Sequence, residues 1–230
     1  GQTIAETFAA STARGNYAGV NVATHIAINE KTDLILAGQA TVGRNAPKRL
    51  DTQLTYRPNQ SHTLRFVTSF GELGTLTSGE REESLGLFSF RAIDEWKVRE
   101  GIIFVYGIDY SRFTGAGNNS VVAPRLGFQY DIDSKTRFRS AFTTQTDDRT
   151  WAREIALEDA QISFREPAFV EDFVIEDGEP LMNNSRRLEF GIERVLDNSS
   201  SIEATAFFDG TLARGVRVIG MPFGSATIEG

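Results

Sequence analysis

Cysteine is missing from this sequence of 230 residues. That removes disulfide staples, thiolate metal sites and thiol nucleophiles at once. Proline numbers six, and methionine, tryptophan and histidine two each, so imidazole chemistry has little to draw on. Long apolar runs are lacking as well. No stretch approaches the ~18 residues that a transmembrane helix requires. Nor is there a positive excess: 24 Lys and Arg face 31 Asp and Glu, a net charge of −7. No basic stripe is available to meet phosphates, and a nucleic-acid partner is not expected. No secretory leader precedes Gly1, which leads us to expect a processed product or an excised fragment.

What the chain does have is 17 Phe, 21 Gly and a period of two. Over 17–28, Ala18, Val20, Val22, Ile26 and Ile28 alternate with Gly19, Asn21, Ala23 and His25. The same pattern sets Leu50, Leu54 and Tyr56 against Asp51, Gln53 and Arg57, and Leu64, Phe66 and Phe70 against Arg65 and Ser69. It continues through 98–110, 125–132, 137–145, 187–193 and 201–209. Weaker strands are expected at 33–42 and 212–221, and a phase change between Leu87 and Phe88 predicts a bulge within 82–93. Strict alternation means strands with one apolar and one polar face. No βαβ rhythm or amphipathic helix interrupts it, so the expected class is all-β and antiparallel, with about ten strands.

Short polar turns are predicted at Asn29–Thr32, Pro58–Ser61, Asp94–Trp96, Asp133–Lys135 and Asp197–Ser200. Longer links fall at 43–49, 72–81, 113–120 and 147–185. A half-buried sheet of a soluble protein would also alternate its residues. Alternating short and long connections, with strands of about 9–11 residues, point instead to an up-and-down transmembrane barrel with tight periplasmic turns. Tyr56, Trp96 and Tyr130 lie near the short turns, where an aromatic girdle would sit. The expectation is a single barrel domain or barrel fragment over 1–230, in a bacterial outer membrane.

Three stretches share one hairpin grammar: LTYRPNQSHTLRFVTSFG (54–71), RLGFQYDIDSKTRFRSAFTTQ (125–145) and RRLEFGIERVLDNSSSIEATAFFDGT (186–211). Each couples a charged strand, a tight turn and an aromatic-ended strand. The last resembles a hairpin of TonB-dependent-receptor-like outer-membrane proteins, and the resemblance extends, with porin-like features, over most of the chain. It implies transport of a small solute. No plug domain or TonB box precedes the first expected strand, and the chain ends in Ile228-Glu229-Gly230 without a terminal aromatic. By that resemblance the chain is a piece of a larger barrel or a plugless relative.

Two sets of residues are candidates for function. Arg65, Arg99, Asp109, Arg125, Asp131, Arg137, Arg139, Arg187, Glu189, Glu193 and Glu203 share the polar phase. In a water-filled lumen they would select solutes by sign and size, whereas in a filled barrel they would pair across strands. The second set lies in 147–184, where Asp147, Asp148, Glu154, Glu158, Asp159, Glu166, Glu171, Asp172, Glu176, Asp177 and Glu179 face three arginines. This segment carries −8 of the total −7 and leaves about +1 elsewhere. It could capture cations, bridge to lipopolysaccharide through divalent ions, or simply stay solvated. Its spacing matches no EF-hand loop, and no resident metal or cofactor is expected.

An enzyme is not expected. His25 and His62 both lie within a few residues of short turns, away from the rim where a barrel hydrolase would place its site. The Gly-rich 115–119 precedes no helix and is no phosphate cradle. A secreted or periplasmic β-sheet module for binding or adhesion is the alternative from a different class. Its apolar face would pack on a second sheet instead of lipid.

Overall fold

The computed structural model describes residues 1–12, 15–43, 46, 48–78, 81–143, 175–176, 179–180, 184–196 and 200–213. The alternation there becomes strands β1 (Gln2–Thr12), β2 (Gly15–Asn29), β3 (Thr32–Gly43), β4 (Lys48–Asn59), β5 (His62–Ser78), β6 (Arg81–Arg99) and β7 (Ile102–Gly115). Next come β8 (Ser120–Asp131), β9 (Thr136–Thr143), β10 (Ile175–Glu176), β11 (Glu179–Pro180), β12 (Asn184–Val195) and β13 (Ser201–Ala213). Eleven of them form one antiparallel sheet in the order β1-β2-β3-β4-β5-β6-β7-β8-β9-β12-β13, and β10 and β11 pair as a separate ribbon. The sheet is an up-and-down meander, as expected, with one strand more than the sequence suggested. Among the described residues it is open, with β1 and β13 as its edges.

Register decides what the two faces hold. From β2 onward most partners have like parity: Leu34 faces Leu54, His62 faces Trp96, Phe104 faces Phe128 and Leu188 faces Phe208. Odd residues therefore share one face and even residues the other. The even face is apolar and open to the surroundings. Val22, Leu50, Phe70, Ile108, Ile192 and Ile202 are exposed there, and Leu126 and Phe208 reach 57% and 66%. The odd face is the buried one. Ala23, Leu85 and Phe113 are enclosed there, and so are Glu95, Asp109, Arg125 and Gln129.

The odd face is enclosed because the sheet curls toward it. Ala141 of β9 packs against the cluster of Ile93 in β6 and Val105 in β7. Strands two apart in a flat sheet lie about 9.5 Å from each other, too far for an alanine to take part. Curvature brings them together. Gly107 admits the close approach of β6 and β7, since a Cβ there would meet the Ala92 carbonyl and come within 2.9 Å of the Ile93 Cα.

The tight turns share one device. Asn29 Oδ1 accepts from the Lys31 N–H at 2.9 Å, Asn59 Oδ1 from the Ser61 N–H at 2.8 Å, and Asp133 Oδ1 from the Lys135 N–H at 2.7 Å. Such side chains satisfy the amides that a turn strips from the ladder. The fourth turn uses Gly101, whose φ of 76° is costly for a residue with a Cβ.

Several expectations need correction. Asp94–Trp96 is no turn: those residues pair with β5 and β7, and the chain reverses at Glu100–Gly101 instead. The link expected at 72–81 is mostly strand, because Ser78 pairs with Arg81. The bulge lies between Glu72 and Gly74 on β5, not between Leu87 and Phe88. Leu85 and Leu87 stay in the odd phase and form an apolar patch, Leu87 facing Phe113. Strands β5 and β6 reach 17 and 19 residues, longer than expected. Strand β1 was not foreseen. It sits out of phase, Phe8 facing Gly19, so its other face shows Thr3, Ala5, Thr7 and Ala9, too small and polar to alternate visibly. Of the weak strand at 212–221, only its start lies within the described residues.

Candidate functional site: the charged face of the sheet

The odd face carries a lattice of ion pairs running across neighbouring strands. Its centre is Asp109 on β7. Its Oδ1 accepts from Arg91 Nε of β6 at 2.8 Å, and its Oδ2 from Arg125 Nε of β8. Asp109 and Arg125 are each 5% exposed, so this carboxylate ties three strands together out of contact with water. Register explains the geometry: Arg91 stands opposite Asp109, while Arg125 stands one position away, opposite Gly107, whose missing side chain leaves room. Nearby, Arg65 of β5 lies 3.8 Å from Glu95 of β6.

The lattice continues toward β13. Arg137 binds Asp131 at 2.6 Å between β9 and β8, and Arg139 binds Glu193 at 2.5 Å between β9 and β12. Arg139 also reaches Glu203 at 3.9 Å, across β12 to β13. Arg187 stands 3.5 Å from Glu189 and 3.6 Å from Asp209, with its guanidinium 4.4 Å from the Phe207 ring. On the other flank Asp33 of β3 joins His25 of β2 at 3.2 Å and Arg57 of β4 at 2.5 Å. Alternating signs on adjacent strands hold each side chain in a fixed direction. Such a surface presents pairs of opposite charge to any solute beside it.

Of the predicted lumen set, Arg65, Asp109, Arg125, Asp131, Arg137, Arg139, Arg187, Glu189, Glu193 and Glu203 all lie on this face. Arg99 does not join them. It sits exposed at the end of β6, past a register shift between Lys97 and Arg99. Of the acidic candidates, Glu176 ends β10 opposite Glu179. Asp147, Asp148, Glu158, Asp159, Glu171, Asp172 and Asp177 lie outside the described residues.

Sequence reasoning missed Arg91 and Glu95. The supposed phase change hid the first, and the supposed turn hid the second. Keeping the odd phase unbroken through β6 would have placed both on the charged face, Arg91 opposite Asp109 and Glu95 near Arg65. It also missed a polar group on the even face. His62 Nδ1 lies 2.8 Å from Asp94 Oδ2, and the Tyr106 hydroxyl donates to that same oxygen at 2.6 Å. The indole of Trp96 stacks on His62 with centroids 5.8 Å apart.

Among the described residues no group of three or more His, Asp or Glu is arranged to hold a metal ion, and no helix is long and apolar enough to cross a membrane. Comparison with protein-family models, curated proteins and solved structures produced no match.

Proposed function

We propose that this chain forms wall of a bacterial outer-membrane β-barrel that passes or takes up a small solute, its even face in lipid and its odd face lining the lumen. The observation that carries this is the apolar band on the even face. On β12 it runs from Leu188 to Ile192, bracketed by Arg186 and Arg194. On β7 it runs from Ile102 to Tyr110 and stops at Arg112, and on β4 it stops at Lys48, which pairs with Glu72 at 3.1 Å. Eight residues at ~3.3 Å span about 26 Å, or about 20 Å across a membrane at a tilt of ~40°. That approaches the apolar band of a transmembrane barrel.

Aromatic rings gather toward both ends of the band. Trp96, Phe104, Phe128, Tyr130 and Phe138 form a contiguous group toward the tight turns, with neighbouring centroids 4.9–6.5 Å apart. Phe70, Phe88 and Tyr110 form another toward the opposite end. Two girdles flanking an apolar band are the pattern of an interface on each side. The partly exposed pairs of the odd face, Arg137–Asp131 and Arg187–Asp209, would then meet the solute and discriminate by sign and geometry.

The test is gel migration of the protein extracted from outer membranes, with and without boiling. A detergent-dependent protein whose compact unboiled band shifts on heating supports the reading. A protein that stays in solution without detergent and shows no shift overturns it, and a soluble sheet module takes its place.

A further inference from the structure

One exposed pairing in the charged lattice is loose. Arg91, Arg137 and Arg139 close on their carboxylates at 2.8, 2.6 and 2.5 Å. Arg187 instead stands 3.5 Å from Glu189 and 3.6 Å from Asp209, beyond the ~2.7–2.9 Å of a charge-assisted hydrogen bond. Its N–H groups and both carboxylates therefore keep bonding capacity. The cluster is also within reach of a solute: the Arg187, Glu189 and Asp209 side chains are 26%, 16% and 38% exposed.

A ring completes the cluster. Register puts Arg187 opposite Asp209 and Glu189 opposite Phe207, so four side chains of the odd face form a quadrilateral. Its sides are about 6.6 Å along a strand and about 5 Å across. The Arg187 guanidinium lies 4.4 Å from the ring centre and covers one face, yet Phe207 remains 56% exposed. The other described rings of this surface are occupied: Tyr17 and Phe113 are enclosed, and Phe8 meets Tyr17 edge-on at 6.1 Å. A strand joining the β13 edge pairs in the plane of the sheet and leaves the odd face of Phe207 and Asp209 clear. A lone exposed ring needs no explanation. This one is framed by a guanidinium and two carboxylates with bonds still to make.

Those groups select the solute. One guanidinium beside two carboxylates repels an anion at two places and a cation at one. A hydroxyl suits all three, because it accepts from Arg187 and donates to Glu189 or Asp209. A flat array of C–H groups suits the ring, whose face is the negative part of its quadrupole. An uncharged sugar has both. The position fits entry: Arg187 is the fourth residue of β12, at the end of the sheet where the chain returns from its longest link.

We infer that Arg187, Glu189, Phe207 and Asp209 form an entry subsite for an uncharged sugar, its pyranose ring against Phe207 and its hydroxyls on the three charged groups. This rests on the barrel reading and names its class of solute.

The experiment inserts the full chain into a planar lipid bilayer and titrates the channel current with cellotriose, a neutral chain of three pyranose rings. A polyethylene glycol of matched mass is the size control. Cellotriose should block the current saturably, at a concentration about tenfold below that needed with the polymer. Phe207→Leu keeps the bulk without the ring and should raise the half-blocking concentration about fivefold, whereas Phe207→Trp should preserve or lower it. Asp209→Asn should raise it independently, and Phe208→Leu, on the other face, should leave it unchanged. Equal block by sugar and polymer, or block that neither Phe207→Leu nor Asp209→Asn weakens, overturns the site while the open-channel current upholds the barrel. A native chain that carries no current overturns the barrel reading and the site with it.

Discussion

Asp109 shows how much a single carboxylate can hold. It bridges two guanidiniums on two neighbouring strands, and its side chain and that of Arg125 are 7% and 6% exposed. Asp109→Ala removes the acceptor shared by buried Arg125 and partly exposed Arg91, and breaking a buried pair costs about 3–5 kcal/mol. Replacing Asp109 and Arg125 together by leucine and methionine should cost less, because the only charge then left without the carboxylate is that of the partly exposed Arg91. Urea unfolding of the three proteins checks this; equal losses in the single and double variants would show that the pair is not the source. The turn residue Asp133 offers a test in pH. The Lys135 N–H that donates to it, with help from Thr136 and against slight desolvation, holds its carboxyl below the ordinary range. A folded-state pKa below the unfolded one means the turn's contribution is complete above about pH 4 and fades as pH falls through the folded value. Asp133→Ala should therefore lower the melting temperature at pH 7 and converge with the native chain near pH 2. A gap that stays constant over that range would sink the assignment.

At the scale of a strand, the bracketing charges set depth. Phe190 lies midway between Arg186 and Arg194 on β12 and is 37% exposed. Phe190→Arg should cost about 2–4 kcal/mol in a bilayer, the range for arginine near the midplane of a barrel. Phe128, one alternation from Tyr130 at the end of β8, lies nearer the girdle, and its arginine variant should cost less, about 1 kcal/mol. Unfolding from vesicles measures both, and indifference to both substitutions would remove lipid from the even face. Strand β6 shows why some of this was not legible beforehand. Leu85 and Leu87 put apolar residues in the polar phase, because the odd face there meets Phe113 and not a charge. The pattern reads as a bulge, and Arg91 drops out of the site with it, as Glu95 does with the turn expected at Asp94–Trp96. Similarly, His62, Asp94 and Tyr106 lie on three strands and meet through register. No spacing in one segment reports that.

The whole sheet raises a matter of parity. Eleven strands in an antiparallel meander leave the first and last running in the same direction. Antiparallel closure needs an odd number of further strands between β1 and β13; direct closure would be parallel, the weaker pairing. Barrels of single bacterial chains have even strand numbers. Cysteines introduced at Ala5 and Ala206 should accordingly remain unlinked under oxidation in the membrane. A disulfide between them would demonstrate direct parallel closure and overturn this expectation. The alternating phase already implied strands, two faces, antiparallel order and a place for Asp109, Arg125, Arg139 and Glu193. Those follow from the two-residue period of the pleat, a local property that every segment displays by itself. Tertiary structure alone decided that Asp109 binds Arg91 and Arg125, that Arg99 stands apart, that β1 joins out of phase, and that Asp94 keeps an unpartnered oxygen on the apolar face. Each depends on register between strands and on the curl of the sheet, and these arise from contacts among residues that the chain keeps far apart.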